Sequence, residues 1–271
     1  MNGVGLKFAA FLKRDLLTAR TYRFSFLLQI FNIGSALWMY FFLSRVVGVG
    51  QVSEISSYGT GFFAFLLVGV AFWNLLFTAS LGAVNAIRSE QRSGTLEALL
   101  TTATPAWLIV LGGIFMPMIL AGIELLLYLL FGVLFFQVDL SRANWPLALA
   151  LLLMSMLQGA AIGLLIASVI VLVKRAEAVA GVVLSLLGLL VGVFYPVEML
   201  PSALQTLANV IPLTHALRAM RQALFLSATI ETLWIVVVVL ATSTVGIFFV
   251  GVWTLNQALN AARSEGTLAQ F

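Results

Sequence analysis

Residues 107–138 read WLIVLGGIFMPMILAGIELLLYLLFGVLFFQV, an apolar run in which Glu124 is the single charged side chain. A helix needs roughly 20 apolar residues to cross the hydrocarbon core of a bilayer, so this run is long enough to span it. Strands of a membrane barrel would instead alternate polar and apolar residues over about 10 positions, and this run does not. The run therefore predicts a membrane-spanning α-helix, which we expect to tilt or to kink at Pro117.

The composition of the whole chain points the same way. Of its 271 residues, 62% are hydrophobic and only 9% are charged, and the mean hydropathy is +1.11. A water-soluble domain of this size would need more charged side chains to cover its surface. The net charge of +4 therefore concerns membrane topology rather than nucleic acid, and we expect no nucleic-acid partner.

Six apolar runs predict an all-α polytopic membrane protein with six transmembrane helices, at 24–47, 61–86, 107–138, 145–173, 178–195 and 233–255. This topology places ten of the 14 Lys and Arg residues on one side of the membrane and four on the other. Because cytoplasmic loops are enriched in Lys and Arg, both termini are expected in the cytoplasm. The bilayer is expected to be a cell (inner or plasma) membrane. The chain is interpreted as one domain, 1–271. It has an interface helix at 1–23, a six-span bundle at 24–257 and a cytoplasmic tail at 258–271.

Two segments outside these spans have patterns of their own. Residues 6–23 predict an amphipathic helix at the cytoplasmic interface, with one apolar face formed by Phe8, Phe11, Leu12, Leu16 and Ala19. The apolar run begins too late for a cleavable signal peptide. Residues 196–232 are strongly apolar at their start, but Pro196, Pro201 and Pro212 divide them into pieces too short to span. Short helices that re-enter the outer leaflet are therefore expected between spans five and six.

Several kinds of chemistry lack their residues here. No lysine follows a glycine, which excludes a Walker A phosphate loop in this chain. The chain has one histidine and no cysteine. A catalytic zinc site is therefore not expected, and a thiolate nucleophile is excluded. No Gly-x-Ser elbow is present, and an intramembrane enzyme would need polar residues that converge at one depth. We therefore expect no catalytic residues, no metal and no cofactor in this chain.

Two motifs resemble a known family. Residues 88–105 read RSEQRSGTLEALLTTATP and are similar to the cytoplasmic loop of type 2 ABC transporter permeases, with matches at Glu90, Gly94, Thr95, Glu97, Leu99 and Pro105. Residues 195–201 (YPVEMLP) and 211–221 (IPLTHALRAMR) resemble the fifth-span and outer re-entrant region of the same family. The resemblance covers nearly the whole chain, in the same order around six spans.

The resemblance implies the transmembrane permease subunit of an ATP-driven exporter. ATP and Mg would be bound by a separate ATPase subunit, present in two copies, and a second permease copy or a paralogue would complete the pore. The loop would be a coupling helix that docks on the ATPase through Arg88, Glu90, Gln91, Arg92, Ser93, Gly94, Thr95 and Glu97. Alternating charges suit such docking, and Gly94 and Thr95 mark a bend or a new helix start. An ordinary solvated loop is the alternative.

Other polar residues have two interpretations each. In the interface helix, Lys13, Arg14 and Arg20 contact either the ATPase or anionic lipid headgroups. Glu124 lines the translocation path or is a hydrogen-bonded structural group, because a carboxylate in hydrocarbon needs a partner or water. Asn74 is interpreted as an interhelical hydrogen-bonding group or as a residue of the translocation path. Interhelical hydrogen bonds are also the interpretation of Asn32, Asn85 and Gln158. On the outer side, His215, Arg218 and Arg221 meet an anionic group at the exit or anchor the segment at the interface.

The cargo is predicted by analogy alone. Hydrophobic or amphipathic molecules, drugs or lipids, are the first interpretation, and lipid-linked polysaccharide is the alternative. A channel or carrier that works without ATP is the remote alternative. The dense aromatic residues of the first two spans suit either an apolar or a sugar-bearing substrate.

Overall fold

The computed structural model describes residues 23–47, 55, 58–92, 94, 105–172 and 176–264. Their helices are α1 Arg23–Val47, α2 Phe62–Arg92, α3 Ala106–Phe136, α4 Trp145–Leu172, α5 Ala176–Val191, α6 Ser202–Val210, α7 Pro212–Phe225 and α8 Ile230–Ser264, with a 3₁₀ turn at Val197–Met199. No strand occurs in these ranges, which confirms the all-α class for the part of the chain that they cover.

Four of the described helices are long and apolar enough to cross a membrane, namely α2, α3, α4 and α8. Helix α3 continues unbroken through Pro117, although a proline removes one backbone donor. Helix α1 has 25 residues but includes polar side chains such as Gln29, Asn32 and Arg45. Helix α5 has 16 residues, which is about 24 Å at the usual helical rise of 1.5 Å.

Several helices differ in length from the apolar runs that predicted them. Helix α2 continues beyond residue 86 to Arg92, and α8 covers Ile230–Ser264 rather than 233–255. A helix does not have to end where the hydrocarbon ends, because its backbone bonds are satisfied internally in water as well. Helix α5 stops at Val191 instead of residue 195, since Gly192 takes a positive φ of 79° that ends the helix.

The centre of the bundle is the contact of α2 with α3 and α4, and α8 packs along α4. Gly159 and Gly163 of α4 allow the close approach to α2. A Cβ atom on Gly163 would lie 2.7 Å from the carbonyl oxygen of Ser80 and 2.7 Å from Cβ of Ala83. The Ser80 hydroxyl donates to the carbonyl of Gly159 at 3.1 Å. The small-residue spacing in this span therefore serves helix packing within the chain, as expected for such motifs.

Two apolar clusters occupy opposite ends of the bundle. One joins the last turns of α2, α4 and α8 to the start of α3, through residues such as Ile87, Ala106, Val171 and Ala262. The other joins the first turns of α2, α4 and α8 to the end of α3 and to α7. The described part of the bundle therefore has a loop end, where Arg88 lies, and an opposite end that carries α6 and α7.

The opposite end is tied together by backbone hydrogen bonds. The backbone N–H of Asn144 donates to the carbonyl of Ala223 at 2.8 Å, and its side-chain amide donates to the carbonyl of Ala228 at 2.9 Å. The same side chain accepts from the N–H of Leu147, which caps the start of α4. Each short element between α5 and α8 begins at a proline, because Pro196, Pro201 and Pro212 occupy the first or preceding position.

Candidate functional site

At the loop end, the predicted coupling residues begin as a continuation of α2. Arg88 is half-buried and Glu90 is buried, while Gln91 and Arg92 belong to the same helix. Gly94 has a φ of 66°, the left-handed conformation in which a helix commonly ends. The charged stretch thus starts within α2, which continues past residue 86, the predicted end of the second span. Ser93, Thr95 and Glu97 lie outside the described residues, as do Lys13, Arg14 and Arg20.

A groove of about 520 Å³ lies between α2 and α3 at this end. Phe77, Met116 and Leu120 line its apolar end towards the middle of the helices, and Asn85 and Glu90 line the end nearer Arg88. The two helices cross tightly beside it, since a Cβ atom on Gly113 would lie 2.6 Å from Cβ of Ala86. The groove is therefore amphipathic along its length and connects the charged end of α2 with the middle of the bundle.

A polar cluster lies where α1, α2 and α3 meet. The side-chain amide of Asn74 donates to the hydroxyl of Tyr128 at 3.2 Å. Glu124 stands one turn before Tyr128 on α3 and is half-buried, and the side chain of Gln29 from α1 lies near its carboxyl group. The predicted residues Asn74 and Glu124 are thus neighbours in one cluster. Sequence patterns missed Gln29 and Tyr128, although the four-residue spacing of Glu124 and Tyr128 already placed them on one helical face.

His215 and Arg218 lie on α7, at the end of the bundle opposite to the loop end. Arg218 pairs with Glu198 at 2.7 Å, and its other terminal nitrogen donates to the side-chain oxygen of Asn209 at 3.3 Å. The Nε2–H of His215 donates to the backbone carbonyl of Asn209 at 2.8 Å. These residues hold the 3₁₀ turn, α6 and α7 together, because each contact joins α7 to one of the two preceding segments.

Arg221 is one turn further along α7 but has a different environment. It is 2% exposed, and its guanidinium donates to the carbonyls of Gly192 at 3.1 Å, Val193 at 3.0 Å and Phe65 at 3.3 Å. Its central carbon lies 3.4 Å from the centre of the Phe65 ring. Burial lowers the pKa of Arg221 to about 9, which leaves it charged at neutral pH. The interpretation of Arg221 as a surface anchor or exit residue is therefore wrong.

The contacts of Arg221 join three helices. Two of its acceptors, the carbonyls of Gly192 and Val193, belong to the two residues after α5, at the end of the helix that attracts a cation. The third acceptor, Phe65, belongs to the first turn of α2. Gly69 makes room for the guanidinium, because a Cβ atom there would collide with the carbonyl of Val193 and with Arg221 itself. Arg221 thus fixes α7 against α2 and the end of α5.

The described helices, four of them long and apolar enough to cross a membrane, define a helical membrane domain. A comparison with family models matches residues 7–225 to the ABC-2 type transporter family. The match covers most of the chain, and this chain belongs to that family. Members are transmembrane permease subunits that work with an ABC ATPase subunit. A comparison with curated proteins finds no match.

Proposed function

We propose that this chain is the permease of an ATP-driven exporter that moves a hydrophobic or amphipathic molecule, a drug or a lipid, out of the cytoplasm or the inner leaflet. The family match over residues 7–225 is the observation that carries the proposal. ATP and Mg are bound by two copies of a partner ATPase, and a second permease copy or a paralogue completes the pore. Nothing in this role requires a catalytic residue or a cofactor in this chain.

The proposed topology has six crossings with both termini in the cytoplasm of an inner or plasma membrane. Helices α1 and α5 supply the two crossings beyond the four long apolar helices. The segment from Gly192 to Leu226 re-enters the outer leaflet and fills the depth that the 16 residues of α5 do not reach. In support, the ends of α2 and α8 that carry Arg88 and Arg263 lie together at one end of the bundle, as the asymmetry of positive charges requires.

The coupling surface is proposed to be the end of α2 and the loop that follows. Arg88, Glu90, Gln91, Arg92, Ser93, Gly94, Thr95 and Glu97 would meet the ATPase there. The interface helix with Lys13, Arg14 and Arg20 would support the contact or bind anionic headgroups. Because α2 continues without a break from the bundle into this charged end, a push on Arg88 acts directly on the α2–α3–α4 centre. ATP binding then shifts the population between inward-open and outward-open states.

The substrate class is inferred from the groove and the polar cluster. The groove between α2 and α3 has an apolar end and a polar end nearer Arg88, which suits an amphipathic molecule entering from the inner leaflet. Glu124 and Asn74 stand further along the same two helices, and a carboxylate at that depth favours a cationic group. His215 and Arg218 would lie near the exit. Export of a lipid-linked polysaccharide is the second candidate, and the aromatic side chains around Trp38 and Phe41 favour it.

In proteoliposomes with the partner ATPase, we expect ATP-driven transport of a lipophilic cationic dye. Glu124→Gln should raise the KM for this dye by about tenfold and leave the KM for an uncharged fluorescent diacylglycerol nearly unchanged. The reason is that a hydrogen bond to a charged group contributes about 1.5–3 kcal/mol. The measurement is initial uptake rate against substrate concentration.

The matched control is Glu231→Gln, an exposed carboxylate in the first turn of α8 outside the polar cluster. Its KM for the dye should equal that of the unmodified chain. Equal dye KM values for Glu124→Gln and the unmodified chain would rule out Glu124 as a path residue. Transport of lipid-linked glycan without transport of dye or phospholipid would replace the first substrate class by the second.

A further inference from the structure

A crevice lies between α3 and α4 at the end of the bundle that carries α7. Its wide mouth, of about 510 Å³, is lined by Leu130, Val133 and Leu140 and opens at the loop between the two helices. A smaller pocket of about 60 Å³ continues inward towards Phe72 and Met220 and is almost wholly apolar. The two cavities share Leu126, Leu129 and Trp145, so they form one apolar slot with one polar rim.

The rim carries the exposed carboxylate of Asp139, and the exposed Arg142 lies near it in the same loop. Asp139 accepts a hydrogen bond from the backbone N–H of Ser141 at 2.9 Å, which fixes the loop. Hydrogen bonds from Ser141, together with the nearby Arg142, lower the pKa of the Asp139 carboxyl group and keep it ionised. Arg142 is also exposed and lies three residues away. A carboxylate at the mouth of an apolar slot, with a guanidinium close beside it in the loop, complements an ammonium and a phosphate held above an acyl chain.

The walls of the slot suit a lipid chain better than a protein helix. Leu126, Leu130 and Leu134 form an exposed stripe of large side chains at four-residue spacing along α3. Tight helix contacts in this chain use small residues instead, as at Gly163 against Ala83 and Gly188 against Trp73. Trp145 stands half-exposed at the mouth, a position that tryptophan favours at the boundary between hydrocarbon and headgroups.

We propose that this crevice is a binding site for a zwitterionic aminophospholipid, a phosphatidylethanolamine-type lipid, of the leaflet at the α7 end. One acyl chain enters the slot between α3 and α4, the ammonium group pairs with Asp139, and the phosphate pairs with Arg142. The site is distinct from the groove between α2 and α3 and does not depend on which molecule is transported. It gives the permease a lipid contact on the helix that carries Glu124.

The test uses the full chain in phosphatidylcholine vesicles with a small fraction of phosphatidylethanolamine that carries a photoreactive group in its acyl chain. After illumination, mass spectrometry locates the lipid adducts. The expected result is labelling concentrated in residues 126–149, several-fold stronger than with the matching photoreactive phosphatidylglycerol. Labelling spread evenly over the exposed apolar surface would overturn the site.

Three variants separate the slot from the rim. Leu126→Trp fills the mouth and should reduce labelling at least fivefold, while Leu157→Trp, on an equally exposed leucine of α4 outside the crevice, should not; both leucines are 58% exposed. Asp139→Asn retains an acceptor for Ser141 and removes only the charge, so it should abolish the preference for phosphatidylethanolamine. An unchanged preference in Asp139→Asn would contradict the assigned headgroup.

The alternative to a bound lipid is that a second copy of the chain covers the crevice, and a cysteine variant distinguishes the two. Because the chain has no cysteine, Leu130→Cys introduces a single thiol at the mouth. We expect no disulfide-linked dimer under mild oxidation and full reaction with a lipid-soluble maleimide. A disulfide-linked dimer in high yield would show that this face is a protein interface and would contradict the proposal.

Discussion

Arg221→Ala is expected to destabilise the folded chain by on the order of 3 kcal/mol, because it leaves the buried carbonyls of Gly192 and Val193 without a donor. The substitution also removes the guanidinium from the ring of Phe65. Arg221→Lys should restore only part of the stability, since a single ammonium lacks the planar fork that serves three acceptors. The measurement is the thermal loss of the monodisperse peak in detergent.

Arg218→Ala is the matched control for this prediction. Arg218 lies one turn earlier on α7, but its pair with Glu198 is partly open to solvent, with side chains 26% and 48% exposed. Exposed pairs contribute about 0.2–1 kcal/mol, so the loss of stability should be small. Equal stability of the two alanine variants would contradict the role of Arg221 in fixing α7 against α2 and α5.

Gly94→Pro and Glu97→Arg are each expected to reduce ATP-driven transport more than tenfold while the chain stays folded. Gly94 has a φ of 66°, and proline is restricted to a φ near −65°, so the turn after α2 cannot form. Glu97→Arg reverses a charge on the proposed docking surface. Gly94→Ala should have an intermediate effect, because a left-handed conformation costs an L-residue roughly 1–2 kcal/mol. The measurements are transport rate and retention of the ATPase during purification.

Glu231→Arg is the control for the charge reversal, since Glu231 begins α8 at the opposite end of the bundle. It should leave both ATPase binding and transport unchanged. If Gly94→Pro and Glu97→Arg both retained ATPase binding and transport at the level of the unmodified chain, the loop would not be the coupling surface.

The helical class and the helices α2, α3, α4 and α8 follow from hydropathy, because long apolar runs have few other solutions in a bilayer. Helix ends were less predictable. The second apolar run ends at residue 86, whereas α2 continues to Arg92. Charged residues with high helix propensity extend a helix into water at little cost. The end of α5 depends on the conformation of Gly192, which hydropathy does not encode.

For the candidate sites, the sequence predicted which residues need a polar partner better than it predicted which residue that partner is. An isolated glutamate in an apolar run indicates a polar partner, and the structure places Gln29 and Tyr128 beside Glu124 from two helices. The position of Gln29 depends on how α1 and α3 rotate against each other, which one sequence does not specify, whereas Tyr128 follows from its spacing on α3. Arg218 and Arg221 are three residues apart and have the same side chain, yet Arg218 is partly exposed and Arg221 is buried. The difference arises from Gly69, whose missing side chain creates the space for the guanidinium.

The central claim is that this chain is a permease driven by a separate ATPase, and its most direct test is purification from native membranes in a mild detergent. The expected result is a complex that contains this chain and a subunit with Walker motifs in equal amounts, with ATP hydrolysis that vanadate inhibits. Recovery of the chain without any such subunit, together with transport that proceeds equally with and without ATP, would contradict the account.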